Sequence, residues 1–165
     1  MPRKSATLMN ALDSQCGIAR SLGVLSDSWS FLLLREALFG KRTFAQFRDS
    51  LGIASDVLST RLNTLVEHGV LEKVPYQEQG HRTRDAYELT AAGNELKLVL
   101  VAMQQWGDAN VPRGPGVSMR PVTRDGQERV RAVLVGARGQ NVGHGDVDFV
   151  RVGDTDEAPA GPSES

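Results

Sequence analysis

The stretch Ser55-Asp56-Val57-Leu58-Ser59-Thr60-Arg61-Leu62-Asn63-Thr64-Leu65-Val66-Glu67-His68-Gly69 decides the reading of the chain. Leu58, Leu62, Leu65 and Val66 recur at i, i+4, i+7 and i+8, which is one apolar stripe on a 3.6-residue helix. Ser55 is a good N-cap, because its hydroxyl can accept from a backbone N–H that the helix leaves unpaired. Gly69 can supply the left-handed turn that ends the helix. The opposite face carries Asp56, Ser59, Thr60 and Asn63, with Arg61 on its flank and no run of Lys or Glu. A merely solvated helix more often carries long charged side chains. Short donors and acceptors suit a helix that presses against another polar surface.

Directly after Gly69, residues 70–76 and 85–90 are β-prone and flank a polar loop that holds Gly80, His81, Arg82 and Arg84. This is the pattern of a hairpin with a long tip. Pro75 lacks an N–H, so its strand should be an edge or should end there. A polar-faced helix followed by a two-stranded hairpin with a basic tip reads as a winged helix-turn-helix. The helix would enter the major groove of double-stranded DNA, and the wing would reach phosphates or the adjacent minor groove.

Upstream, Thr43 with Gln46 three residues later forms a capping box ahead of Phe44, Phe47 and Leu51. Gly52-Ile53-Ala54 is then the short turn between two helices. Asp27 or Ser26 can cap the preceding helix, which Gly40 ends. Ile18, Leu22 and Leu25 form an earlier stripe, after a first helix near Leu8 to Leu12. Beyond the hairpin, Thr90 caps a long helix through about Asp108. Leu96, Val99, Leu100, Met103 and Trp106 make a stripe on it that is wider than a three-helix core needs.

Cys16-Gly-Ile-Ala-Arg20, Leu25-Ser-Asp-Ser-Trp29, Leu34-Arg-Glu36, Thr43-Phe-Ala-Gln-Phe47, Val57-Leu-Ser-Thr-Arg-Leu62, residues 65–71 and Tyr87-Glu-Leu-Thr90 together resemble the HxlR-type regulators. Those are dimeric winged-helix transcription factors related to the MarR group. The resemblance covers residues 14–109 in order and spacing. It implies an α+β, mainly α chain in which the long helix and the N-terminal helix form the homodimer surface. Two-fold symmetry would place the recognition helices about 34 Å apart, facing a palindromic operator.

The remaining third divides by composition. Residues 111–116 are a Pro/Gly linker. Residues 129–135 and 146–152 read as strands of a small β-rich module ending near residue 153, and residues 154–165 are an acidic, disorder-prone tail. The domains are thus 1–110, 111–153 and 154–165. The module resembles a zinc ribbon-like unit of longer relatives, but the cysteine positions hold Asp125, Val135 and Arg138, with only His144 nearby. A zinc site needs four thiolate or imidazole ligands and only His144 remains, so neither metal nor other cofactor is expected. Asp125, Glu128, Asp146 and Asp148 read as solvated turn carboxylates rather than as a cation site. Without a metal, so short a module must pack on the helical body or on a dimer mate, or else stay loose, and packing is the expectation.

The 165 residues are 40% hydrophobic, enough for a globular core, and net charge is −1. Residues 1–110 carry 12 Lys+Arg against 12 Asp+Glu. DNA binding must therefore rest on a local patch, and non-specific affinity should be weak. No apolar run of about 18 residues and no signal-peptide core occurs, so a cytoplasmic protein without membrane contact is expected. His68, His81 and His144 lie near no Ser or Cys nucleophile in sequence, and no phosphate-binding glycine motif is present. The chain does not read as an enzyme.

The candidate DNA-contacting residues are Lys41, Arg42, Thr43, Ser55, Asp56, Ser59, Thr60, Arg61, Asn63, His81, Arg82 and Arg84. Ser59, Thr60 and Asn63 are candidates for base edges. Lys41, Arg42 and Thr43 sit at a helix N-terminus that favours an anion, and Arg61 has either a phosphate or a local carboxylate as partner. Trp29, Phe31, Phe39, Met103 and Trp106 could line a small-molecule effector pocket, or be plain core. Cys16 stands where the family resemblance places a cysteine that in some members senses oxidants. A buried, inert thiol is the alternative. These residues fit a sequence-specific regulator, a repressor released by an effector. A thiol-based redox sensor and a winged-helix protein-interaction module are the other readings.

Overall fold

In the computed structural model, which describes residues 10–77, 83–115 and 119–150, a 3-10 turn at Ala11–Asp13 leads into α1 (Gly17–Val24). Of the first helix expected near Leu8 to Leu12, only this turn falls inside the described residues. Asp27 opens α2 (Ser28–Leu38) by accepting from the Ser30 N–H at 3.0 Å. Gly40, at φ +86°, closes it: the N–H groups of Gly40 and Lys41 donate to the carbonyls of Ala37 and Glu36 at 2.9 and 3.1 Å.

α3 (Phe44–Leu51) starts with the expected capping box. The Gln46 N–H donates to the Thr43 hydroxyl at 3.3 Å, and the Gln46 side-chain oxygen accepts from the N–H groups of Arg42 and Thr43 at 2.8 and 3.1 Å. Gly52 ends α3 at φ +60°. α4 (Ser55–Glu67) follows, and here one expectation needs correcting. Ser55 is the first helical residue; the N-cap is Ala54, and no side chain caps this helix. Buried Ile53 fixes the turn, so packing rather than a cap sets where α4 begins. At the far end Gly69, at φ +68°, supplies the expected left-handed turn, and the N–H groups of Gly69 and Val70 donate to the Val66 and Leu65 carbonyls at 3.0 and 2.8 Å.

The apolar stripe of α4 is the centre of the core. Leu58, Leu62 and Leu65 are fully buried with Leu33 and Leu34 of α2 and Phe47 of α3. Each such side chain contributes roughly 1.5–3 kcal/mol of apolar burial. Phe47 meets Tyr87 edge to face, with ring centroids 6.4 Å apart, and burial pushes the Tyr87 phenol pKa up. That contact ties the helices to the hairpin of β1 (Leu71–Tyr76) and β2 (Arg84–Leu89). The strands are antiparallel, Leu71 opposite Leu89 and Tyr76 opposite Arg84. On the other edge of β2, Thr43 bridges Ala86, and the Tyr87 N–H donates to the Arg42 carbonyl at 2.7 Å. The wing thus gains a one-residue third strand. β1 is left as the free edge, where Pro75 has no N–H to leave unpaired.

The single long helix expected after Thr90 is two helices. Thr90 caps α5 (Ala91–Glu95) by accepting from the Gly93 N–H at 3.0 Å, and it donates to the Gly69 carbonyl at 2.6 Å. Leu96 interrupts the helix, and α6 (Lys97–Asn110) follows. α5 is tied to the root of the hairpin, whereas Leu96 and Leu100 pack on the core of α2 and α4, and the turn between them absorbs the difference. Gly93 lies against the hairpin so closely that a Cβ there would stand 2.1 Å from the Val70 carbonyl oxygen.

The compact units divide after Val130, so residues 119–130 group with the helices. Within them the Thr123 and Val130 N–H groups donate to the Glu128 and Pro121 carbonyls at 2.9 and 3.0 Å. The second unit holds a two-residue ladder, β3 (Leu134–Val135) with β4 (Asn141–Val142), around a turn at Gly139. The expected strand at 129–135 is therefore mostly irregular. That at 146–152 is not a strand as far as residue 150, and 151–152 lie outside the described residues. Val133, Val135, Phe149 and Val150 are exposed, so neither segment gains from an extended conformation that would bury one face. The tail expected at 154–165 also lies outside the described residues.

Candidate nucleic-acid interface

Because α4 buries Leu58, Leu62 and Leu65, its remaining positions are forced outward. Asp56, Ser59, Thr60 and Asn63 form one exposed face, and Ser55 is exposed at its start. The Thr60 hydroxyl donates to the Asp56 carbonyl at 2.8 Å. Its oxygen remains as an acceptor and its methyl as an apolar contact. Asn63 keeps both an amide donor and a carbonyl acceptor on this face.

The cations around this face are partly committed within the chain. Of the two partners open to Arg61, the structure gives the local carboxylate: Arg61 pairs with Asp27, the residue that caps α2. Arg42 pairs with Glu88 on β2. Glu88 lies opposite Glu72 in the hairpin, so Arg42 offsets a like-charge cross-strand pair. Thr43 is committed to its capping box and to the bridge with Ala86. The Lys41 ammonium has no hydrogen-bond or ion-pair partner among the described residues, and Arg84 is exposed at the start of β2. Expected contacts His81 and Arg82 lie outside the described residues.

The five candidate pocket residues do not come together. Trp29 packs against the core. Phe31 and Met103 line an open groove of about 430 Å³ between α2 and α6. Phe39, 58% exposed, lines a second groove of about 270 Å³. Trp106, 65% exposed, lines neither. Cys16 is exposed and not buried, which removes the inert-core alternative in the isolated chain. It is the N-cap of α1, and the N–H groups of Ala19 and then Ile18 lower its thiol pKa, helped by the Arg20 charge. Asp125 accepts from the Thr123 hydroxyl and the Gln127 N–H, which hold its carboxyl below the usual range. Among the described residues, no group of three or more His, Cys, Asp or Glu could hold a metal ion, and no helix is long and apolar enough to cross a membrane.

Residues 24–115, more than half of the chain, match the HxlR-like helix-turn-helix family. The chain belongs to that family. An uncharacterized HTH-type transcriptional regulator of Mycobacterium tuberculosis is 42% identical over 105 residues, which are 62% of this chain and 65% of the relative. The match therefore spans just under two thirds of that relative's length. The crystal structure of PA1607, a candidate transcription factor, superposes with a TM-score of 0.74 at 34% identity, covering 87% of this chain and 99% of that one. The redox regulator HypR in its reduced form gives a TM-score of 0.52 at 25% identity, over 58% of this chain and 93% of its own. The HxlR-like chain is thus a winged helix-turn-helix protein of a transcription-regulator family.

Three residues of this HxlR-like protein carry roles that the sequence reading did not assign. Glu88 engages Arg42, Asp27 holds Arg61, and Gly93 seats α5. The local carboxylate offered to Arg61 foreshadowed Asp27 without naming it, and Glu88 shows its need only in the hairpin register, where it faces Glu72 and a nearby cation relieves the like-charge pair.

Proposed function

We propose that this HxlR-like protein is a sequence-specific DNA-binding regulator acting as a homodimer on a palindromic operator, a repressor released by a small effector. The observation that carries the reading is the exposed face of Ser59, Thr60 and Asn63 on α4, flanked by the hairpin. Asn63 is suited to adenine, whose N6 and N7 match its acceptor and donor. Thr60 offers an oxygen to a base amino group or its methyl to thymine. Asp56 repels phosphate and suits the cytosine amino group. Ser55, Lys41, Arg84, His81 and Arg82 are assigned to phosphates, and Arg42 joins them only by leaving Glu88. Arg61 serves the frame.

Exposed apolar side chains support a second copy as partner. Ile18 and Leu22 on α1, with Leu98, Val99, Met103 and Trp106 on α6, are all exposed in the single chain. Covering them with the same helices of another protomer would set the two α4 helices one DNA turn apart.

Selection of bound sequences from a random DNA pool, followed by binding at graded salt, tests this reading. An enriched palindrome whose affinity falls steeply with salt is expected. No enrichment, or binding indifferent to salt, would reject it and favour a protein-interaction module. A second reading, thiol-based control through Cys16, is favoured by the exposed, acidified thiol at the start of α1. It predicts that Cys16→Ser abolishes any response of DNA binding to oxidant.

A further inference from the structure

α6 has two opposed faces. Leu98, Val99 and Trp106 lie on the exposed side, while Lys97, Leu100, Val101 and Gln104 recur at i, i+3, i+4 and i+7 on the other. This second face, with Phe39 after α2 and with Arg120 and Val122, lines the groove of about 270 Å³. Small-molecule sites run from about 300 to 1,000 Å³; the groove falls just below that range and has room for a compact ligand only. Arg120 and Val122 lie beyond the family match at 24–115, so the groove is completed by this chain's own extension.

Its chemistry is one-sided. The walls are apolar apart from Gln104 and two cations, Lys97 and Arg120, and no Asp or Glu lines it among the described residues. Neither cation has a hydrogen-bond or ion-pair partner among those residues. The neighbouring groove of about 430 Å³ differs, because Arg35 there pairs with Glu36 at 2.8 Å and Arg113 with Asp108 at 3.6 Å. Of these two grooves the smaller one therefore keeps positive charge unspent beside an apolar floor. That combination matches an organic anion with a compact hydrocarbon body.

We propose that this groove binds a small apolar monocarboxylate. Its carboxylate sits between Lys97 and Arg120, and its body lies against Phe39, Leu100, Val101 and Val122. The role as effector rests on the regulator reading above. The groove is on the side of α6 opposite its exposed apolar stripe, and Lys97 is the first residue after the interruption at Leu96, so an occupant bears directly on how α6 seats against a second copy.

Calorimetry on the full chain tests the site with 4-tert-butylbenzoate, decanoate and the neutral 4-tert-butylbenzamide. Saturable binding of at least one carboxylate is expected, with the amide about tenfold weaker. Lys97→Gln and Arg120→Gln should each weaken binding roughly 2- to 5-fold, as exposed charge pairs do, and the double variant about tenfold. Neither carboxylate saturating up to about 5 mM, the amide binding as well as the acid, or both variants binding like the parent would each overturn the proposal. Anisotropy on the selected DNA separates the two layers. Carboxylate binding that leaves DNA affinity unchanged keeps the site and removes the effector role. A chain that selects no DNA rejects the regulator reading, while calorimetry still decides the groove.

Discussion

Asp27 caps α2 with one carboxylate oxygen and meets Arg61 of α4 with the other. The second contact is an ion pair without an aligned hydrogen bond, and both side chains are less than a third exposed. One residue thus fixes the start of a core helix and the roll of the helix that carries Ser59, Thr60 and Asn63. Asp27→Ala removes a cap worth about 1 kcal/mol and strands a half-buried guanidinium, at about 1–2 kcal/mol more. A loss of roughly 2–3 kcal/mol in urea unfolding is expected, with the preferred DNA bases unchanged. An unaltered midpoint would remove the frame role of Arg61.

Arg42 is held by Glu88, so neutralising Glu88 should release it. Glu88→Gln is expected to raise affinity for all DNA sequences by a similar factor and to steepen the dependence on salt by about one ion. Because both side chains are well exposed, the effect on stability stays within about 0.5 kcal/mol. Titrations of matched and scrambled duplexes at several salt concentrations measure both. A gain confined to the matched duplex would contradict the assignment of Arg42 to phosphates.

Asn63 and Arg84 should fail in different ways. Asn63→Ala is expected to lose about 1–3 kcal/mol on the preferred base and little on its competitors. Arg84→Ala should weaken every sequence alike and lower the salt slope. Competition binding with single-base variants of the selected site distinguishes them. Uniform loss from both would deny Asn63 a base.

The backbone N–H groups of Ala19 and Ile18, with Arg20, favour the Cys16 thiolate. Its pKa in the folded chain is depressed relative to the unfolded chain. Any stability tied to it is therefore present at pH above the unfolded value and is lost as pH falls through the folded one. The rate of iodoacetamide alkylation should reach half its maximum below the ordinary thiol value of about 8.5 in the native protein, and return toward it in denaturant. Equal midpoints in both states would refute the effect.

Gly93 should not tolerate a methyl group. Its Cβ would meet a backbone oxygen, which cannot rotate away, so Gly93→Ala is expected to cost about 3 kcal/mol in thermal or chemical unfolding. Gly107, with nothing within 4 Å of the same atom, is the control. Gly107→Ala should be neutral or slightly stabilising.

What was legible in the sequence was local and periodic. The Thr43–Gln46 box, the Gly69 stop and the stripe of Leu58, Leu62 and Leu65 are set by neighbours within a few positions, and all appear as read. The start of α4 was misplaced by one residue because buried Ile53, not a side-chain cap, decides it. The Thr43–Ala86 bridge has no periodicity to reveal it. The partner of Arg61 lies on another helix, beyond the reach of spacing. In the candidate interface, the outward face of α4 followed from the inward one. Which cations stay available did not, since Arg42 is taken by a strand residue that only the hairpin register brings near. Residues 129–135 and 146–150 misled because alternation signals a strand only where there is something to bury against.

The contact between Gly93 and Val70 reaches beyond stability. With main chain resting on main chain, no flexible side chain is interposed there to absorb relative motion. If a second protomer tips α6, the twist can dissipate at Leu96 or pass on. Whatever passes on arrives at the hairpin root undamped, as a rudder follows its post.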